Sequence, residues 1–211
     1  MEEVNKRRWF ALCHRLGACG DVPGIYNELV IHYTEPHRVY HTIKHVNEGI
    51  NELDLVRRFV MNPDAVEMAY FFHDEVQDTK AGDNEERSAE LALSAIKRMY
   101  LPDGFGKIVV GLILATKHNK IPSDIDEQFI SDIDLSIFGQ SEKRFDEYEK
   151  QIRKEYEWVP EKIFSEERLK ILTKFIKPSS IYFTRFFFDK YETQANRNLV
   201  RSIKKLTNCS Q

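Results

Sequence analysis

The sequence predicts an all-α fold, and three observations support that prediction. Apolar residues recur at helical spacing along most of the chain, no stretch shows sustained apolar and polar alternation, and only 9 Gly and 7 Pro interrupt 211 residues. A chain of this length fits one domain better than two, and it can bury a core without covalent cross-links. We therefore expect a single domain, residues 1–211, built from roughly nine or ten helices.

Caps and breaks divide the chain into helices in order. The first helix is predicted from about Glu3 to Leu16, and the segment GACGDVPG, residues 17–24, ends it. Asn62–Pro63–Asp64 begins another helix, because proline fits the first helical turn, and Asp83–Asn84–Glu85–Glu86 is a capped start. The other predicted helices are Ile25 to Tyr33, His37 to about Leu55, Pro102 to His118, Ile121 to about Phe138, Ser141 to Trp158, Ser165 to Phe175, and Phe183 to about Leu206.

Charge and composition exclude several classes of protein. Lys+Arg 31 against Asp+Glu 34 gives a formal net charge of -3, so no strong positive field attracts nucleic acid or an anionic membrane. The longest apolar run, residues 108–115, is too short to span a bilayer, and the first residues lack the apolar core of a signal peptide. Cys13, Cys19 and Cys209 show no metal-binding spacing and indicate reduced thiols. We expect a cytoplasmic protein.

Histidines and carboxylates in apolar surroundings are the first candidates for chemistry. His41 and His45 are four residues apart, and on a helix this spacing puts both imidazoles on one face. His73 and Asp74 end an apolar run, where their burial is costly unless they pair or bind a metal. The simpler interpretations are a solvated polar face for the two histidines and an exposed helix end for the His–Asp pair.

Later segments add further candidates. Asp132 and Asp134 lie within an apolar stretch, where a carboxylate needs a cation, a hydrogen-bond cage or a raised pKa. Lys117 and His118 close an apolar helix, although His118 could simply cap carbonyls at the helix C-terminus. Imidazole and carboxylate ligands together suit a divalent transition metal (Mn, Co, Ni, Fe or Zn) better than Ca. An open position on such an ion would activate water or polarise phosphate.

The order of these motifs resembles the HD-domain superfamily of metal-dependent phosphohydrolases, and most closely the subgroup called predicted HD-superfamily phosphohydrolases. The resemblance covers about residues 35–200. It implies an HD-type helical bundle, hydrolysis of a small phosphate ester with a nucleotide as the expected substrate, and a homodimer as the suggested oligomer. The matching segments are RVYHTIKH at 38–45, FHD at 72–74, NEERSA at 84–89, TKH at 116–118 and DIDLSIFG at 132–139.

The resemblance assigns metal ligands position by position. His73, Asp74 and Asp134 match the superfamily's ligands. The first ligand is either His45 or His41, and the similarity to cyclic-nucleotide phosphodiesterases favours His45 as ligand with His41 as general acid. The metal itself would be a divalent transition ion.

Other roles follow from the same resemblance. Residues 73–79 are similar to a stretch of alarmone pyrophosphohydrolases, but Gln77 replaces that family's Glu and cannot act as a general base. Asp78 would orient the attacking water or form a turn, and His118 is the less favoured acid. Arg38 and Lys117 would clamp phosphate, or be solvated at the surface. Two alternatives stay open: a metal-containing module that binds or senses a nucleotide without turnover, and a di-iron oxygenase of HD-type fold.

Overall fold

Helices joined by turns and loops make up the part of the chain that the structure describes. A computed structural model describes residues 2–209, and their side chains from Lys6 to Asn208. Within this range there are ten α-helices and two short 3₁₀ helices (Arg57–Phe59 and Leu135–Gly139), and no strand, so the all-α prediction is confirmed. The α-helices are α1 (Glu2–Arg15), α2 (Val22–Tyr33), α3 (Ile43–Val56), α4 (Pro63–Phe72), α5 (Asn84–Arg98), α6 (Asp103–Ala115), α7 (Ile125–Asp134), α8 (Glu142–Glu155), α9 (Glu161–Ile176) and α10 (Arg185–Cys209).

The chain forms two compact units, one ending at Ser131 and the other beginning at Asp132. In the first unit, α4 packs against α1, α3, α5 and α6. Every residue of α4 from Ala65 to Phe72 is buried, as expected for a helix surrounded by other helices. His73 and Asp74 follow the last turn of α4, so this central helix carries the candidate dyad into the interior.

The second unit packs α10 against α9 and against the 3₁₀ helix Leu135–Gly139, which also contacts α8. The fully buried Asp132 is held by a hydrogen-bond cage. Its carboxylate accepts the backbone N–H of Phe183 at 2.8 Å, and the N–H and hydroxyl of Thr184 at 2.7 and 2.6 Å. A carboxylate in this apolar stretch needs a cation, a raised pKa or a cage of hydrogen bonds, and Asp132 has the cage. It fixes the chain just before α10 begins.

The predicted starts of α2, α7 and α9 are off by three or four residues, and the largest error, six residues at the start of α3, concerns His41. The helix expected from His37 begins instead at Ile43, so His41 and His45 do not share a helical face. Thr42 has extended backbone angles, φ −117° and ψ 175°, and its hydroxyl accepts the N–H of Lys44. A threonine that caps a helix in this way ends the preceding segment, whatever the apolar spacing before it. His41 therefore lies in a turn, and only His45 lies on α3.

The structure bears on two expectations drawn from composition, which concern membrane-spanning helices and the cysteines. Within the described part of the chain, no helix combines the length and apolarity needed to traverse a lipid bilayer. Cys13 is buried and Cys19 exposed, and both are free thiols. The side chain of Cys209 lies outside the described side chains.

Candidate metal centre

Three side chains of the first unit converge on one point. His45 Nε2 lies 3.1 Å from His73 Nε2 and 3.3 Å from Asp74 Oδ2, and His73 Nε2 lies 3.0 Å from the same carboxylate oxygen. His45 and His73 are buried, whereas a fifth of the Asp74 side chain is exposed. Residues from α3 and from the end of α4 thus bring two imidazole nitrogens and a carboxylate oxygen together beside an accessible edge.

The spacing of these three atoms fits a divalent transition metal. Ligand atoms bound at about 2.0–2.2 Å to one ion, at tetrahedral or octahedral angles, are about 2.8–3.6 Å apart. All three observed separations lie in this range. Two imidazoles and one carboxylate also form a donor set that Zn, Mn, Fe, Co or Ni accepts.

A hydrogen bond to the backbone orients the His73 ring. Its Nδ1 lies 2.9 Å from the backbone carbonyl oxygen of Tyr70, and a carbonyl can only accept, so Nδ1 carries the hydrogen. In the neutral ring the lone pair is therefore on Nε2, the nitrogen that faces His45 and Asp74. A backbone carbonyl that fixes the second ring nitrogen is a usual partner of a metal-bound histidine.

Aromatic packing fixes the planes of both imidazoles. Tyr70 stacks on His73 with ring centroids 4.4 Å apart and also lies 5.8 Å from the ring of His45. Gly49, one turn after His45 on α3, makes this possible, because a Cβ there would lie 2.0 Å from the Tyr70 ring. Tyr40 covers His45 with ring centroids 4.7 Å apart. The sequence did not reveal that Gly49 and Tyr70 shape this site. The one available signal was a glycine one helical turn after a candidate ligand.

The charge of Asp74 is stabilised by the histidines around it. Burial by itself raises the pKa of this carboxyl, but it is outweighed by the positive charge that His73 and His41 carry when protonated and by the hydrogen bonds that protonated His45 and His73 donate. The pKa of Asp74 therefore lies well below its usual range, and the side chain is an anion at neutral pH. A cation is the natural counterpart of an anionic oxygen between two imidazole nitrogens.

Arg38 is an internal brace of this site. Its side chain is completely buried, and it donates to the carbonyl oxygens of Asp74 and Glu75, each at 2.6 Å, and of His41 at 3.1 Å. It also donates to the Glu35 carboxylate at 3.0 Å. Four N–H groups of the guanidinium are thus used within the protein. These contacts favour a role in joining the turn before α3 to the segment after α4 over direct contact with phosphate.

The motif NEERSA at the start of α5 also has a structural role. The Asn84 side chain accepts the N–H of Asp78 at 3.1 Å and donates to its carbonyl at 3.0 Å, and the Ser88 hydroxyl accepts the N–H of Val76 at 3.0 Å. The Asp78 carboxylate is half exposed and accepts the N–H of Lys80, which closes a turn. Asn84 and Ser88 therefore hold the loop on both sides of Gln77.

Lys117 and His118 follow the end of α6. The Lys117 ammonium donates to the Gly82 carbonyl at 2.9 Å and to both oxygens of Glu86 at 2.7 and 2.6 Å, and these hydrogen bonds to Glu86 raise its pKa. It is thus engaged with acidic side chains at the start of α5. His118 has a positive φ of 51° and follows the helix instead of ending it. Its role as a second acid stays a prediction.

Asp134, the expected fourth ligand, is the last residue of α7 and belongs to the second unit. Its part in the metal site stays a prediction. Of the two candidates for the first ligand, His45 belongs to the group of converging ligand atoms. His41 Nδ1 instead lies 3.1 Å from the Gln77 amide nitrogen. This geometry favours His45.

A buried carboxylate that sequence reasoning missed lies in the middle of α4. Glu67 is completely buried, and its oxygens accept hydrogen bonds from Arg8 at 2.5 Å, Arg15 at 2.8 Å and Arg57 at 2.7 Å. Three arginines around one buried carboxylate anchor α1 and the end of α3 to α4. No pattern in the linear sequence marks this cluster.

Comparisons of this chain with protein-family models, with curated proteins and with solved structures found no match.

Proposed function

We propose that this protein is a metal-dependent phosphohydrolase that acts on a nucleotide or another small phosphate ester. The observation that carries the proposal is the convergence of His45 Nε2, His73 Nε2 and Asp74 Oδ2 at separations of 3.0–3.3 Å. The order of motifs along the chain, which resembles HD-domain phosphohydrolases, supplies the reaction class.

The residues present would hold a divalent transition ion through His45, His73 and Asp74. Such an ion, when bound, lowers the pKa of coordinated water and neutralises phosphoryl charge. Hydrolysis then adds water across the ester P–O bond, so the leaving oxygen must gain a hydrogen. His41 is the proposed hydrogen-bond donor to that oxygen, because its ring lies beside that of His45, with centroids 6.0 Å apart, and solvent water then supplies the hydrogen.

Two basic residues take less direct parts in this proposal. The buried Arg38 positions the ligand-bearing segments through the carbonyls of His41, Asp74 and Glu75. Lys117 is paired with Glu86 and needs to leave that carboxylate before it can meet a phosphate. We propose that substrate charge is neutralised chiefly at the metal centre.

A metal and substrate screen tests the proposal. Protein loaded with Mn²⁺, Co²⁺, Ni²⁺ or Zn²⁺ is offered nucleoside mono-, di- and triphosphates, cyclic nucleotides and p-nitrophenyl phosphate, and released phosphate or nucleotide is measured. We expect turnover of at least one substrate class, lost in His73→Ala and Asp74→Ala. The exposed His14→Ala variant is the matched control and should keep full activity. Absence of turnover on the whole panel, with metal bound, contradicts the proposal.

A further inference from the structure

Gln77 connects the segment after Asp74 with the turn that precedes α3. Its side-chain amide nitrogen lies 3.1 Å from His41 Nδ1, and its backbone carbonyl oxygen lies 2.7 Å from His37 Nε2. The amide nitrogen donates, so His41 Nδ1 is the acceptor in this pair. The carbonyl accepts, so His37 donates from Nε2. One residue thus makes hydrogen bonds of opposite direction to two histidines.

The Gln77 hydrogen bond selects a tautomer of His41. A neutral imidazole has one N–H and one lone pair, and the lone pair on Nδ1 is engaged by the amide. The hydrogen is therefore on Nε2. We infer that Gln77 is a positioning residue that keeps His41 as an Nε2–H hydrogen-bond donor that stabilises the leaving oxygen, while solvent water supplies the hydrogen that this oxygen gains; this role rests on the proposed phosphohydrolase function.

Both partners of this hydrogen bond are anchored independently of each other. The Gln77 side is fixed by Ser88, which binds the N–H of Val76, and by Asn84, which binds Asp78 on both backbone groups. The His41 side is fixed by Arg38 through the His41 carbonyl. The ring of His41 also packs edge-on against Tyr40, with centroids 5.0 Å apart. The contact between Gln77 and His41 is thus built from rigid surroundings.

The identity of residue 77 decides which ring nitrogen donates. A glutamate has nearly the shape of glutamine, but its carboxylate can only accept, so it would draw the hydrogen to Nδ1. A leucine has similar bulk and offers no hydrogen bond. Replacing Gln77 with each of these therefore reverses or removes the directing interaction while the surrounding packing changes little.

The direct test is the nitrogen spectrum of His41 in zinc-loaded protein at about pH 8.5, about two units above the ordinary histidine pKa. Long-range ¹H–¹⁵N correlations, assigned with a His41→Gln variant, report which nitrogen carries the hydrogen. We expect Nε2–H in the wild type, a mixture of tautomers in Gln77→Leu, and hydrogen on Nδ1 in Gln77→Glu. Hydrogen on Nδ1 in the wild type, or an unchanged spectrum in both variants, overturns the inference.

A kinetic test separates positioning from support of the fold. Hydrogen bonding to a leaving oxygen matters most when that oxygen is strongly basic, as in an alkyl phosphate, and little for p-nitrophenolate. In Gln77→Leu we expect kcat to fall about tenfold more for an alkyl phosphate than for p-nitrophenyl phosphate, the effect of one ordinary hydrogen bond. KM should stay within about twofold for both, because ground-state binding is unchanged.

Equal losses on the two substrates would mean that Gln77 only supports the fold, and this result overturns the inference. If the metal-loaded wild type hydrolyses neither substrate nor any other member of the panel, the proposed function fails instead. The nitrogen spectra still decide the tautomer in that case. The two failures are therefore distinguishable.

Discussion

Replacing Arg38 with methionine tests whether this residue braces the metal centre or contacts substrate. Methionine keeps much of the apolar stem and removes every N–H donor, together with the guanidinium whose central carbon lies 5.1 Å from the Tyr33 ring centroid. The carbonyl oxygens of His41, Asp74 and Glu75 each lose a donor, while the Glu35 carboxylate, 37% exposed, turns to solvent.

The magnitude follows from these lost hydrogen bonds. An acceptor left unsatisfied in the interior costs about 1–3 kcal/mol. Water reaches the two part-buried carbonyls, of His41 and Asp74, so we expect a total near the lower bound, about 3 kcal/mol. For a chain of this size, 1 kcal/mol corresponds to about 2–4 °C, so the melting temperature should fall by about 6–12 °C. Zinc affinity should fall too, because Asp74 and the turn before α3 lose their common partner.

The assay is thermal unfolding with and without zinc, followed by circular dichroism. Arg58→Met, at an exposed position where the guanidinium lies over the Phe59 ring, is the matched control and should cost no more than about 1 kcal/mol. Arg38→Lys should be nearly as unstable as Arg38→Met, because one ammonium cannot reach three separate carbonyls. A melting temperature of Arg38→Met within about 2 °C of the wild type refutes the bracing role.

Three further predictions concern other parts of the chain. Asp132→Asn should lower the free energy of unfolding, measured with urea, by about 2–4 kcal/mol, because the new amide group would point N–H donors at the N–H groups of Phe183 and Thr184. The control is Asp83→Asn, at an exposed helix-cap position without a side-chain cap bond, which should change stability little. Equal effects of the two substitutions would contradict the hydrogen-bond cage around Asp132. Burial raises the pKa of the Cys13 thiol to about 12, so at about pH 8 Cys13 should resist alkylation in the folded protein while the exposed Cys19 reacts. Mass spectrometry measures the alkylation of each cysteine, and equal rates for Cys13 and Cys19 would contradict this prediction. The hydrogen bond from Arg201 lowers the pKa of Asp146, so this pair stabilises the fold above the unfolded pKa of about 3.9 and the benefit disappears as pH falls through the lower folded value. Because both partners are partly exposed, Asp146→Asn should cost only about 0.5 kcal/mol at about pH 7 and nothing at about pH 2, and a pH-independent cost would argue against the pair.

Most of the helices were predicted from the helical spacing of apolar residues and from helix-capping residues. The proline at the start of α4 and the acidic start of α5 were both identified, and the apolar run of α4 correctly indicated a central helix. The failure at His41 has a local cause, because the capping geometry of Thr42 overrides the spacing of the residues around it. Periodicity reports which face is buried, but a helix start depends on one residue's backbone angles.

The candidate site could be predicted only in part, because contacts between distant residues leave little trace in the sequence. Histidines and an aspartate in apolar surroundings pointed to the group of candidate ligands that converge at His45, His73 and Asp74, since such side chains are costly to bury alone. Arg38 was predicted to clamp phosphate, yet its donors reach backbone carbonyls, which every residue type has and no sequence pattern marks. Gln77 attracted notice as a departure from a family pattern, whereas its contact with His41 required coordinates.

Zinc binding to metal-stripped protein, followed by X-ray absorption at the zinc edge, tests the metal centre most directly. We predict one zinc ion per chain, with scattering from two imidazole nitrogens at about 2.0–2.1 Å. Binding should be lost in His45→Ala and His73→Ala and kept in His14→Ala. A wild-type protein that binds no stoichiometric zinc, or binding that survives the loss of both His45 and His73, would contradict the account.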